Sequence, residues 1–246
     1  MFIKHRSLPA LLVGLGVITS GFTLISQKPA VAQYPNQYPL FYDLQENWAN
    51  SCIVKLANQG IINGYPDGSF RPMMYINRAE FAAIVGKAFP QIPRTRRRVE
   101  FRDVHVYDWA YNHIAEAYQR NFLSGYPGRV FKPNQRITRS QVLVALASGL
   151  NYSPSRNVAS TLKTNFADAN KIPRYAQSKI AAATERSIVV NYPDVRFLHP
   201  NKQATRAEVA AFLCQALATP NEASVIPQQY IVNNPMFLTA QKSFAH

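Results

Sequence analysis

The sequence predicts an all-α protein made of three helix–loop–helix repeats packed around one core. Three observations carry this. A motif recurs three times along the chain, the apolar residues inside each copy fall at helical spacing, and a helix-start signal closes each copy. No segment shows sustained strand alternation.

The chain opens on a segment that reads as an export signal. Lys4, His5 and Arg6 form a basic start, Leu8 to Ile25 is apolar and uncharged, and Ala30-Val31-Ala32 supplies a small-x-small cleavage site. Residues 1–32 are therefore expected to be removed. The apolar run approaches the roughly 18 residues that can span a bilayer, but Gly, Ser and Thr dilute it. No later segment is apolar enough to span, so the mature protein is expected not to cross a membrane. A Pro/Gln/Tyr leader follows over 33–40.

The first repeat occupies 41–90, the second 101–150 and the third 166–218. Each opens on Phe-x-Asp (Phe41-Tyr42-Asp43, Phe101-Arg102-Asp103, Phe166-Ala167-Asp168), followed by an aromatic-Ala pair at Trp48-Ala49, Trp109-Ala110 or Tyr175-Ala176. In the first repeat Trp48, Ala49, Cys52, Ile53, Leu56 and Ala57 make one helical stripe, and Gly60 sits where a left-handed residue ends a helix. The turns Tyr65-Pro66, Tyr126-Pro127 and Tyr192-Pro193 follow, then Phe70, Phe131 and Phe197. The second helix of each repeat begins with a capping box, Asn77 with Glu80, Thr138 with Gln141 and Thr205 with Glu208. The arginines inside these boxes recur at 61 and then 67 residues. Units this small cannot bury their own apolar faces, so the three are expected to share one core.

Between the repeats lie a basic linker over 91–100, containing Arg94-Thr95-Arg96-Arg97-Arg98, and a polar one over 151–165. The basic run reads as a solvated charge cluster. The tail, 219–246, carries apolar knots at Val225-Ile226 and Tyr230-Ile231-Val232, and is expected to lie extended across the repeats or to stay partly mobile, with an envelope protein as its candidate partner. Cys52 and Cys214 are too few for a disulfide scaffold. A bridge is open to an exported protein, but nothing in their spacing predicts one, and two small semi-buried thiols are the plainer reading.

The net charge is +14 and falls to +11 without the signal, which removes three cations and no acids and leaves 24 against 13. A domain this basic attracts polyanions. Inside a cell the first suspect would be nucleic acid; for an exported chain it is the anionic wall glycans, so no nucleic-acid partner is expected. The capping boxes do not explain the arginines within them. Arg78, Arg139 and Arg206 each hold the first helical position, where a cation opposes the macrodipole at a cost of about 0.3–1 kcal/mol. Two roles are open: an internal salt bridge to Asp43, Asp103 or Asp168, or a fork offered to an anionic ligand beside the unpaired N–H groups of the helix start.

These residues resemble the S-layer homology family. Gly60-Ile61-Ile62-Asn63-Gly64-Tyr65-Pro66-Asp67-Gly68-Ser69-Phe70-Arg71-Pro72 reproduces the centre of its pattern, flanked by Phe-x-Asp, Trp-Ala and Arg-Ala-Glu. The resemblance implies a three-pronged spindle with pseudo-threefold symmetry. It also implies non-covalent binding of a wall-linked, often pyruvylated polysaccharide in grooves between repeats, at the cell wall or cell surface. Carried over residue by residue, the groove positions are Arg78, Arg139, Arg206, Asp43, Asp103, Asp168, Trp48, Trp109, Gly64, Tyr65, Gly125 and Tyr126. The third repeat departs most, with Tyr175 for Trp and Asn191 for Gly, so its groove is expected to be weak or structural. Two rivals stand beside this reading. An enzyme finds little room outside the repeats, and the histidines have no metal-ligand spacing; neither cofactor nor metal is expected. An envelope scaffold with degenerate grooves is the other.

Overall fold

Each repeat forms the two helices that its apolar spacing predicts. The computed structural model describes residues 40–219 and 224–232, and the signal segment and most of the leader lie outside these. Helices α1 (Asn50–Asn58) and α2 (Arg78–Ala88) belong to the first repeat, and α3 (Tyr111–Gln119) and α4 (Arg139–Gly149) to the second. An additional helix, α5 (Val158–Asn165), precedes the third pair, α6 (Gln177–Glu185) and α7 (Arg206–Leu217). The stretch read as a polar linker is therefore partly helical. Asn157 caps α5 by accepting from the Ser160 N–H, and Leu162 is buried as α5 packs on α6.

All three capping boxes form, with both reciprocal hydrogen bonds in each. Gly60 ends α1 at φ +69°, and Asn121 and Ser187 take the same left-handed role after α3 and α6. The helices pack in a cycle: α2 on α3, α4 on α6, and α7 back on α1. The second helix of each repeat thus lies on the first helix of the next. Their apolar faces merge into one core that includes Ile53, Phe81, Phe131, Leu143, Ile180 and Phe212.

Where the repeats meet, their backbones interlock. The Ile76 N–H donates to the Ala204 carbonyl at 3.2 Å, Ala204 to Ile137 at 2.9 Å, and Ile137 back to Ile76 at 3.1 Å. These three residues each stand one position before an N-cap and are fully buried. In water's absence an unpaired N–H there would cost about 1–3 kcal/mol, so each repeat completes the next.

Two sequence readings need correction. The third repeat's counterpart of Phe70 and Phe131 is Leu198 rather than Phe197: the Leu198 N–H takes the aspartate contact made by Phe70 and Phe131, and its side chain is buried. The extra residue in this repeat shifts the register by one. Cys52 and Cys214 are not free thiols but a disulfide, joining α1 to α7 across 162 residues. Spacing could not announce it, because only the packing of α7 on α1 brings the sulfurs together. Closing so long a loop should stabilise the fold by about 2–4 kcal/mol. The double variant Cys52→Ala/Cys214→Ala is expected to lose that amount in urea unfolding, and reductant should then leave its midpoint unmoved.

Candidate functional site

The three arginines are clasps between repeats before they are anything else. Arg78 donates Nε to the Phe131 carbonyl at 2.8 Å and Nη2 to the Ser124 carbonyl at 2.7 Å, reaching from the first repeat into the second. Arg139 does the same in the third repeat, to Leu198 at 2.7 Å and Val190 at 3.1 Å. Arg206 closes the ring on the first, to Phe70 at 2.9 Å and Asn63 at 2.6 Å. Each guanidinium also lies over the ring of a neighbouring Phe, at 4.3–5.0 Å from its centroid. Hydrogen bonds to a charged group contribute about 1.5–3 kcal/mol each, which outweighs the dipole cost of a cation at the helix start.

The helix starts themselves are not open anion sites. The Arg78, Arg139 and Arg206 N–H groups donate to the carbonyls of Gln135, Lys202 and Met74, and the next N–H of each helix goes to Pro133, Pro200 or Pro72. The donors left over by helix geometry are taken by the adjacent repeat. Nor do the opening aspartates pair with the arginines. Asp43 accepts from the Phe70 and Arg71 N–H groups, Asp103 from Phe131 and Lys132, and Asp168 from Leu198 and His199, all at 2.6–2.9 Å. Arg71, Lys132 and His199 stand at positive φ, a strained conformation that each carboxylate holds in place. Gly64 and Gly125 lie under Phe41 and Phe101, where any Cβ would collide with the ring.

Burial pushes all three guanidinium groups below their ordinary range, and what surrounds each then differs. Arg139 is sealed. Its Nη2 also donates to Asn191 Oδ1 at 2.6 Å, and its Nη1 pairs with Glu208 at 3.0 Å with both side chains buried. Tyr192, the residue after Asn191, is stacked by Trp48 with 5.1 Å between centroids, and Tyr230 sets its edge against both. Tyr230 comes from the tail, which pairs along Val189–Asn191: Asn191 donates to the Tyr230 carbonyl and Val232 to that of Val189. Ile226, Ile231 and Val232 are buried, so this part of the tail lies against the third repeat, the extended course expected for it. Arg206 is half-buried near Glu80, beside a void of only about 10 Å³, and Trp109 stands exposed rather than covering it.

Arg78 is different. It borders a cleft of about 450 Å³ that draws on all three repeats: Arg78 from the first, the Asn121–Tyr126 turn and one side of α4 from the second, and Tyr175 from the third. Position N3 of α4, Glu in the other two repeats, is Gln141 here, so no carboxylate lines the cleft. A second cation does: Arg96, from the basic linker, donates to Ser124 Oγ at 3.1 Å and lies over Tyr118. Tyr175, 62% exposed, offers a free ring face. Arg96, Ser124 and Tyr175 were absent from the residues chosen by sequence, and Gln141 was read only as a cap. The Glu, Gln, Glu series at N3 was the visible signal.

The sequence profile of the S-layer homology domain matches residues 40–82, 100–143 and 165–210. The chain belongs to the S-layer homology family. Among its relatives are the exoglucanase XynX of Acetivibrio thermocellus, 31% identical over 82% of this chain and 18% of that protein, and the surface-layer 125 kDa protein of Lysinibacillus sphaericus, 26% identical over 70% and 15%. A cellulosome-anchoring protein of A. thermocellus is 29% identical over 46% of this chain and 26% of its own length. This chain thus spans about a quarter or less of the length of these relatives. Among the described residues no helix is long and apolar enough to cross a membrane, and no cluster of metal-ligating side chains forms.

Buried Glu208 makes the sealed corner of this S-layer homology fold pH-sensitive. Burial alone would raise its pKa, but Arg139, the Thr205 N–H and Lys202 together hold it below its ordinary 4.5. A depressed carboxylate stabilises the fold above its unfolded value, and that stability is lost as pH falls through the folded value. Glu208→Gln keeps the capping box, as Gln141 does, yet strands Arg139. It should cost roughly 3–5 kcal/mol near neutrality and flatten the stability profile below about pH 5, as followed by denaturant midpoints from pH 7 to 3.

Proposed function

We propose that this chain is an exported, non-catalytic wall-attachment module. In this reading it holds an anionic, pyruvylated polysaccharide linked to peptidoglycan, chiefly in the cleft beside Arg78. One observation carries the reading: a cleft shared by three repeats places a buried guanidinium and a second arginine on a lining without a single carboxylate. Gathering like charges without a counter-ion is unfavourable unless an anion completes the site. A guanidinium held through Nε and Nη2 still has Nη1 to give, and a sugar carboxylate is a matching acceptor. Tyr175 supplies a flat face for the ring of the saccharide, and Tyr126, whose ring carries Arg78 and Lys132, borders the same cleft. Asp43, Asp103 and Asp168 then act by holding the turns that receive the arginines.

The relatives agree in kind. One is named for a surface layer and another for anchoring, and where the relative is an enzyme the matched share is small. A second reading, an envelope scaffold with degenerate grooves, is favoured by the Arg139 groove, which the tail closes. The two differ in whether the Arg78 cleft binds wall glycan.

Truncating Arg78 would test little, since it would also open the clasp to Phe131 and Ser124. Gln141→Glu is cleaner. It keeps the helix cap, and places beside Arg78 the acid that Glu208 gives Arg139. In sedimentation with purified wall sacculi, the parent protein should bind, lose binding after acid stripping of attached polymer, and weaken as salt rises. The variant should bind at least about tenfold more weakly with its thermal midpoint kept. Undiminished sedimentation of the Gln141→Glu protein would overturn the assignment to this cleft.

A further inference from the structure

We infer that the linker arginine Arg96 makes the Arg78 cleft a two-cation site: the Arg78 fork takes the pyruvyl carboxylate of the proposed ligand, and Arg96 favours saccharides that bring a second negative charge within its reach, as a phosphoryl group does, over those carrying one. This rests on the cleft being the binding site and adds a selectivity that the motif residues do not supply. Both arginines converge on one residue. Arg78 Nη2 takes the Ser124 carbonyl at 2.7 Å and Arg96 Nη1 the Ser124 hydroxyl at 3.1 Å, so a guanidinium from the motif and one from the linker meet on a single residue at the boundary of the first and second repeats. The carbonyls hold Arg78, while Arg96 is held by a hydroxyl and the Tyr118 face and has no carboxylate partner among the described residues. Its linker neighbours are committed elsewhere: Arg94 pairs with Glu116, and Arg98 with Glu100.

The linker's course makes this placement reproducible. The Thr95 and Arg96 N–H groups both donate to the Gln119 carbonyl at the end of α3, pinning the backbone beside the mouth of the cleft. Arg96 is only half-exposed and borders the cleft, whereas Arg97 next to it is exposed and does not. A single negative charge is satisfied by Arg78 alone. A dianion can engage both forks, and with no acid in the lining nothing competes for the second.

The test uses isothermal titration of the full mature chain with glucose 6-phosphate and glucuronate, a dianion and a monoanion of similar size. The parent protein should prefer the phosphate by about tenfold, the worth of one further charge-assisted contact at a half-exposed site. Arg96→Gln should collapse that preference to within about threefold, while Arg97→Gln, which removes the same net charge, should leave it within about twofold. If Arg96→Gln leaves the preference intact while Gln141→Glu abolishes both ligands, the two-cation inference falls and the cleft stands as the site. If Gln141→Glu alters neither ligand, the cleft reading falls with it. An equal loss of preference in Arg96→Gln and Arg97→Gln would assign the effect to net charge and overturn the inference.

Discussion

Three backbone hydrogen bonds in a closed triangle, from Ile76 to Ala204 to Ile137 and back, hold everything else in place. Each lies one residue before an N-cap, so the triangle fixes where α2, α4 and α7 begin and which way their first turns point. The arginine that follows each N-cap is thereby delivered to the adjacent repeat, where two carbonyls wait at the distance a guanidinium spans. No repeat satisfies all of its own polar groups: the first N–H groups of α2, α4 and α7 and the arginine side chains find their acceptors in another repeat. Each lends donors to the next and borrows them from the one before, and buried polar groups of this kind are tolerated only when fully paired.

The same framework explains why three copies of one motif give three different grooves. The clasp is common to all; the difference lies in what the remaining guanidinium nitrogen meets. Arg139 meets Glu208 and is further occupied by Asn191, the residue that replaced glycine in the third turn. With its charge answered and its plane against the Phe212 ring, that corner serves the fold. Arg78 shares its cleft with Gln141, a change of one atom type that leaves its charge unanswered in a recess lined by apolar, hydroxyl and amide groups and by a second arginine, Arg96. Small substitutions at N3 therefore divide structural from available cations without disturbing the helix cap.

Much of the architecture could be read from the residues alone, because helix periodicity, capping boxes and turn glycines are local signals. The three repeats, their six principal helices and the anomalous arginines all came from such patterns. What escaped was whatever depended on contact between repeats. Arginine partners turned out to be backbone carbonyls, which no side-chain pattern advertises. The aspartates were spent on turn N–H groups of their own repeat. The linker before the third repeat hid α5 because a helix of Val158, Thr161 and Leu162 has a single narrow apolar edge. Tyr230 and Arg96 reached the grooves from segments outside the motif, where repetition offers no guide.

The linkage between α1 and α7 has a mechanical consequence. Chain connectivity joins the first repeat to the second and the second to the third, but the third seam of the cycle has no peptide crossing it. The Cys52–Cys214 bond lies at that seam. With it, the assembly is a covalently endless loop, with no terminal unit that can peel away under a pull. Tension applied between the two ends is carried by the disulfide itself, and the clasps between repeats are spared the load.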